Sequence, residues 1–189
     1  MIEINIKNIC QELNLDHHIL VTRQIGGQVY EHIIKQFQTE ASNPQAVILI
    51  FPPDQLVDPS FADETILRLQ REFIDAEGGS NTIIVQGLTN DSIHNLNAAI
   101  KYQNLKLPLL SLSSDRQWNV IGQLEQSLRE TLDLVFKNSR LTAPELAKLL
   151  NLAINTASNR LKRLYDLRLV RRDYEITENG LQYIYHFWL

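Results

Sequence analysis

The sequence predicts an α/β sheet-and-helix domain followed by a smaller, mainly α-helical one. Two observations carry this. Short apolar runs alternate with helically spaced stretches up to about residue 113, and the alternation then stops. The charge also changes sign there. Residues 1–115 hold 7 Lys+Arg against 14 Asp+Glu, and residues 116–189 hold 11 against 8, which together make the chain's 18 and 22. An acidic half joined to a basic half implies two domains with different partners. We place the domains at 1–114 and 115–189. A hydrophobic content of 44% suits a globular chain with a real core.

The first half opens with two β-type runs, INI (4–6) and HILVT (18–22). GGQVYEHIIKQF places Val29, Ile33, Ile34 and Phe37 at helical spacing. Gly26-Gly27 reads as a tight turn opening that helix. AVILIF (46–51), stopped by Pro52-Pro53, is continuously apolar and reads as a strand buried on both faces. FADETILRLQREF repeats the helical pattern through Ala62, Ile66, Leu69 and Phe73. NTIIVQG is the next strand, DSIHNLNAAIKYQ a helix with Ile93, Leu96 and Ile100 inward, and LPLLSL (107–112) a last short strand.

In the second half, WNVIGQLEQSLRETLDLVF carries Ile121, Leu124, Leu128 and Val135 on one helical stripe. LTAPELAKLL has Thr142 as N-cap, Pro144 in the first turn and Glu145 completing a capping box. NLAIN is a polar turn, and TASNRLKRLYDL a second short helix. LVRR and YEI are short β-type runs around Asp173, and Thr177, Glu178 and Gly180 lead into a final helix ending YIYHFWL. Helix, helix, turn, helix, hairpin, helix is a winged helix-turn-helix plan. Residues 118–189 resemble that domain of bacterial transcriptional regulators through Leu141–Leu150, Thr156–Asp166, LKRLYDLRLVRR and ITENG. Arg168 stands where the family usually has a turn glycine, and the wing reads as only a few residues long.

On the second helix of the pair, Ala157, Leu161 and Leu164 share the inward face. Asn155, Ser158, Asn159 and Lys162, flanked by Thr156 and Arg163, point away. These residue types hydrogen-bond base edges or phosphates. Arg171 and Arg172 follow where the wing would touch a DNA backbone. All eight are the expected contacts with double-stranded DNA. Arg160 and Arg168 add positive charge, and Asp166 and Asp173 dilute it.

VILIFPPDQLVDPSFADETI resembles the strand, loop and helix of STAS-like proteins, relatives of anti-anti-sigma factors. There a strand is followed by Asp, a small residue, a phosphorylatable Ser or Thr, and a helix. Asp58, Pro59 and Ser60 stand in that order, and the likeness extends loosely over 1–113. It implies a receiver of signals or protein partners, with Ser60 as the candidate phosphorylation site. From the residues alone, Ser60 is an N-cap with Asp63 three positions on.

Other chemistry is not indicated. The one cysteine, Cys10, leaves neither an intramolecular disulfide nor a cysteine-rich zinc site, and the five histidines show no metal-ligand spacing. No catalytic set can be assembled, so neither an enzyme nor a cofactor is expected. No apolar run approaches the ~20 residues that span a bilayer, and the first residues lack a signal-peptide layout. The expectation is a cytoplasmic transcriptional regulator with a regulatory protein or kinase acting on the first domain. The alternative is an anti-anti-sigma-like adaptor without specific DNA binding. Tyr183, Tyr185, Phe187 and Trp188, crowded on one terminal helix, suggest a homodimer through that helix and residues 118–137.

Overall fold

The computed structural model describes residues 1–40, 46–76, 81–113, 115, 117–178 and 180–188. The chain forms two compact units, Met1–Gln123 and Leu124–Leu189. Their junction lies beyond the expected 114/115, because the start of the supposed long helix is a strand belonging to the first unit.

The first unit contains β1 (Ile2–Asn5), α1 (Ile6–Glu12), β2 (Ile19–Leu20), α2 (Arg23–Glu40), β3 (Ala46–Ile50) and β4 (Leu56–Val57). Then come α3 (Pro59–Ala62), a π-helical turn (Asp63–Leu67), α4 (Arg68–Asp75), β5 (Thr82–Gln86), α5 (Asn90–Tyr102), β6 (Leu109–Leu112) and β7 (Trp118–Ile121). The main sheet runs β1-β3-β5-β6-β7, parallel except for the antiparallel edge strand β7. Ala46–Leu49 and Thr82–Val85 are buried without alternation, as central strands covered on both faces must be. β2 and β4 form a separate two-stranded parallel ladder.

Ala62, Ile66, Leu69 and Phe73 are all buried, yet no single α-helix holds them. α3, the π turn and α4 follow without a break, and the widened turn keeps all four residues in the core. α2 crosses this segment closely. A Cβ on Gly26 would lie 3.0 Å from both the Phe61 carbonyl oxygen and Glu64 Cβ. Gly26 and Gly27 therefore lie inside α2 as a close-approach site, not in a turn that opens it. Thr65 is buried and donates to the Gly26 carbonyl at 2.9 Å, securing the crossing.

The helix cap is Asp58, not Ser60. Asp58 has extended backbone, and its Oδ1 accepts from the Phe61 amide at 2.7 Å. Pro59 fills the first helical position, so Ser60 is the second helical residue, two positions past the cap. Asp58→Ala should therefore lower stability by about 1 kcal/mol, while Ser60→Ala should leave it nearly unchanged. The two urea-denaturation midpoints check this.

The second unit contains α6 (Gln126–Asn138), β8 (Arg140–Thr142), α7 (Ala143–Leu150), α8 (Ile154–Asp166), β9 (Arg171–Thr177) and β10 (Gly180–His186). Thr142 caps α7 in a complete capping box with Glu145. Asn151, left-handed at φ 52°, ends α7 and starts the turn into α8. α6, α7 and α8 enclose Leu128, Leu132, Val135, Leu146, Ala157, Leu161 and Leu164, all at or below 1% exposure.

Three expectations fail here. Residues 180–186 are a strand, not a helix, pairing antiparallel with both β9 and β8. The wing is thus a full hairpin of two seven-residue strands. What read as a helix start is the hairpin turn, where Thr177 Oγ1 donates to the Gly180 carbonyl at 2.9 Å. The terminal aromatics also divide. Tyr185, Phe187 and Trp188 are buried at 3%, 5% and 7%, and only Tyr183 stays 43% exposed. A dimer through a terminal helix has no helix to use.

Candidate nucleic-acid interface

α8 turns Ala157, Leu161 and Leu164 into the core with none of their surface exposed. At about 100° per residue, Asn155, Asn159, Lys162 and Asp166 then fall on the opposite, outward row. All four are exposed, as is Thr156 beside them. Two amide side chains and an ammonium on one helix face can read base edges and hold a phosphate.

The expected basic patch is more constrained than its sequence suggests. Arg163 is outward-flanking and held by Glu125 through two bonds of 2.7 and 2.9 Å. Arg160 meets Glu130 at 3.3 Å, and Lys162 meets Asp166 at 2.6 Å. These pairs face solvent, where water and salt weaken them, so a phosphate can compete for the cations. Arg171 is exposed and lies 3.5 Å from Asp173.

Two of the basic residues are packing elements instead. Arg172 sits between two rings, 4.1 Å from the Tyr165 centroid and 4.3 Å from that of Tyr183. Arg168 is 6% exposed, with left-handed backbone at φ 62°, and its carbonyl accepts from Trp188 Nε1 at 3.0 Å. Ser158 is half-buried on the flank of α8, where it lines a cleft of about 310 Å³ with Pro144, Leu181, Tyr183 and Tyr185. Asn155, Thr156, Asn159, Lys162 and Arg163 therefore form the α8 surface, Arg171 stands on the wing, and Ser158 and Arg172 face the cleft and the Tyr165–Tyr183 rings.

In the first unit, Ser60 lines a cavity of about 470 Å³ together with Arg23, Asp63, Tyr102 and Gln103. Asp63 is 5% exposed, 2.6 Å from Arg23 Nη1 and 3.3 Å from Arg71 Nη2. Burial pushes its carboxyl up, but Gln103 and the two arginines outweigh that and hold it below the usual carboxylate range. The sequence reading missed this cluster, although Asp63 at the start of an apolar-periodic stretch was a signal. Asp16, His17 and His18, in which the histidine spacing gave no metal pattern, bring their ligand atoms within 4.8 Å of one another. Adjacent histidines do not stand out as metal spacing.

Residues 124–171 match the family model of winged helix-turn-helix DNA-binding domains. No curated protein and no solved structure matches the chain. The second unit accordingly carries a winged helix-turn-helix DNA-binding domain. No helix among the described residues is long and apolar enough to cross a membrane.

Proposed function

We propose that this chain is a transcriptional regulator that reads double-stranded DNA with α8 while its STAS-like first unit receives a signal or a protein partner. The outward row of Asn155, Asn159 and Lys162, clear of the core, carries the DNA reading. The STAS-like reading is supported by the strand–Asp58–Pro59–Ser60–helix order. Ser60 shares its cavity with Arg23, the cation that a phosphate there would meet. Such a phosphate adds a charge of about −1.5 to −2, and Asp58 and Asp63 flank it. A kinase or regulatory protein acting at that cavity would change the first unit's surface without unfolding it.

The acids holding Arg160, Lys162 and Arg163 favour a second reading, an adaptor whose winged helix contacts protein. Mobility shift on genomic fragments at several salt concentrations separates the two. A DNA reader should select particular fragments, its affinity falling with a log–log slope of about −0.9 per phosphate neutralised. Absence of fragment selection at low salt would overturn the DNA reading.

A further inference from the structure

The wing extends past the residues that match the family model, and its outer half is unlike a DNA-contacting element. Residues 173–183 contain three acids, Asp173, Glu175 and Glu178, and no lysine or arginine. The pairing Tyr174↔Tyr183 and Ile176↔Leu181 puts these four side chains on one face of the hairpin. They are 66%, 43%, 84% and 56% exposed. Asp173 and Glu175 point to the opposite face by strand alternation. Arg172, on the same face, lies over the Tyr165 and Tyr183 rings. The cleft lined by Leu181, Tyr183, Tyr185 and Pro144 opens beside Ile176's pairing partner.

We propose that this face binds the same face of a second copy, each Ile176 seating in the cleft of the other. A knob and a hole on one surface make it self-complementary about a two-fold axis. Asp173 and Glu175 stay on the outer faces when two copies meet here, and each Arg172 lies over its own Tyr165 and Tyr183 rings. Edge pairing of β9 with β9 centred on Tyr174 would instead set Asp173 opposite Glu175 of the other copy, which repels. The four side chains expose on the order of 400 Å² per copy, against ~800 Å² per partner in a standard complex. The dimer is therefore weak, in the micromolar range, and strengthens when both copies occupy one DNA.

Sedimentation of the full chain, from micromolar to hundreds of micromolar, tests this in wild type, Ile176→Lys and Leu181→Lys. Wild type should pass from monomer to dimer. Each lysine variant should raise the dissociation constant by at least roughly tenfold, with an unchanged melting temperature because both positions are exposed. Ile176→Ser serves as a milder variant should a lysine disturb the hairpin. A wild type that stays monomeric overturns the proposal, as does a dimer that the folded variants do not weaken. A monomeric wild type that loses DNA affinity with Ile176→Lys would assign the face to DNA instead.

Discussion

Alanine at both Asn159 and Lys162 is expected to lower affinity for a selected DNA sequence roughly 100-fold while leaving the melting temperature unchanged. A side chain that hydrogen-bonds a base edge contributes about 1–3 kcal/mol of discrimination. Asn159, near the centre of the outward row of α8, carries the amide group that a bidentate contact with adenine uses. Lys162 on the same row suits a phosphate, so its loss should weaken all sequences alike and reduce the salt slope by about 1. Both are exposed and remote from Leu161 and Leu164, so the fold has no stake in them beyond the Lys162–Asp166 pair. Fluorescence anisotropy on specific and scrambled duplexes, at three salt concentrations, separates the contributions. Arg163→Ala should have a smaller effect, since part of that guanidinium's interaction is already taken by Glu125. Undiminished selection in the double variant would remove α8 from the interface.

How far this surface and the fold were legible depends on which interactions are local. Helical spacing in α8 has a period set by the backbone, and Ala157, Leu161 and Leu164 obey it. The Thr142–Glu145 capping box closes within three residues, so its signature survives in sequence. β3 was readable because a strand covered on both faces leaves a continuous apolar run. The failures are non-local. Nothing near Arg163 in sequence announces Glu125, and nothing near Arg172 announces the rings on either side of it. Trp118–Ile121 looks helical when joined to the stripe that follows, but its pairing with β6 decides otherwise. YIYHFWL illustrates the same point. Alternating aromatics suit a strand or a helix, and only the partners β8 and β9 select the strand. The capping role falls to Asp58 and not Ser60 because Pro59 occupies the first helical position, a two-residue shift that residue types alone do not resolve.

Trp188→Ala should cost about 3–5 kcal/mol, a large part of what a small domain possesses. The side chain is 7% exposed, and its Nε1 donates to the Arg168 carbonyl at 3.0 Å. Arg168 holds a left-handed conformation that non-glycine residues adopt at a cost of about 1–2 kcal/mol. The indole therefore ties the chain end to the strained turn between α8 and the wing. Removing it empties the volume of a nearly buried indole and takes away the hydrogen bond to the Arg168 carbonyl. Trp188→Phe keeps most of the volume and loses only the N–H, so about 1–3 kcal/mol is expected. The chain has two tryptophans, one in each unit, so a Trp118→Phe background makes Trp188 the sole fluorescence reporter for the Phe comparison. Circular dichroism follows the alanine variant. If Trp188→Ala melts within a degree or two of wild type, the chain end does not close this core. Its aromatics would then be available to a partner, as their crowding in the sequence first suggested.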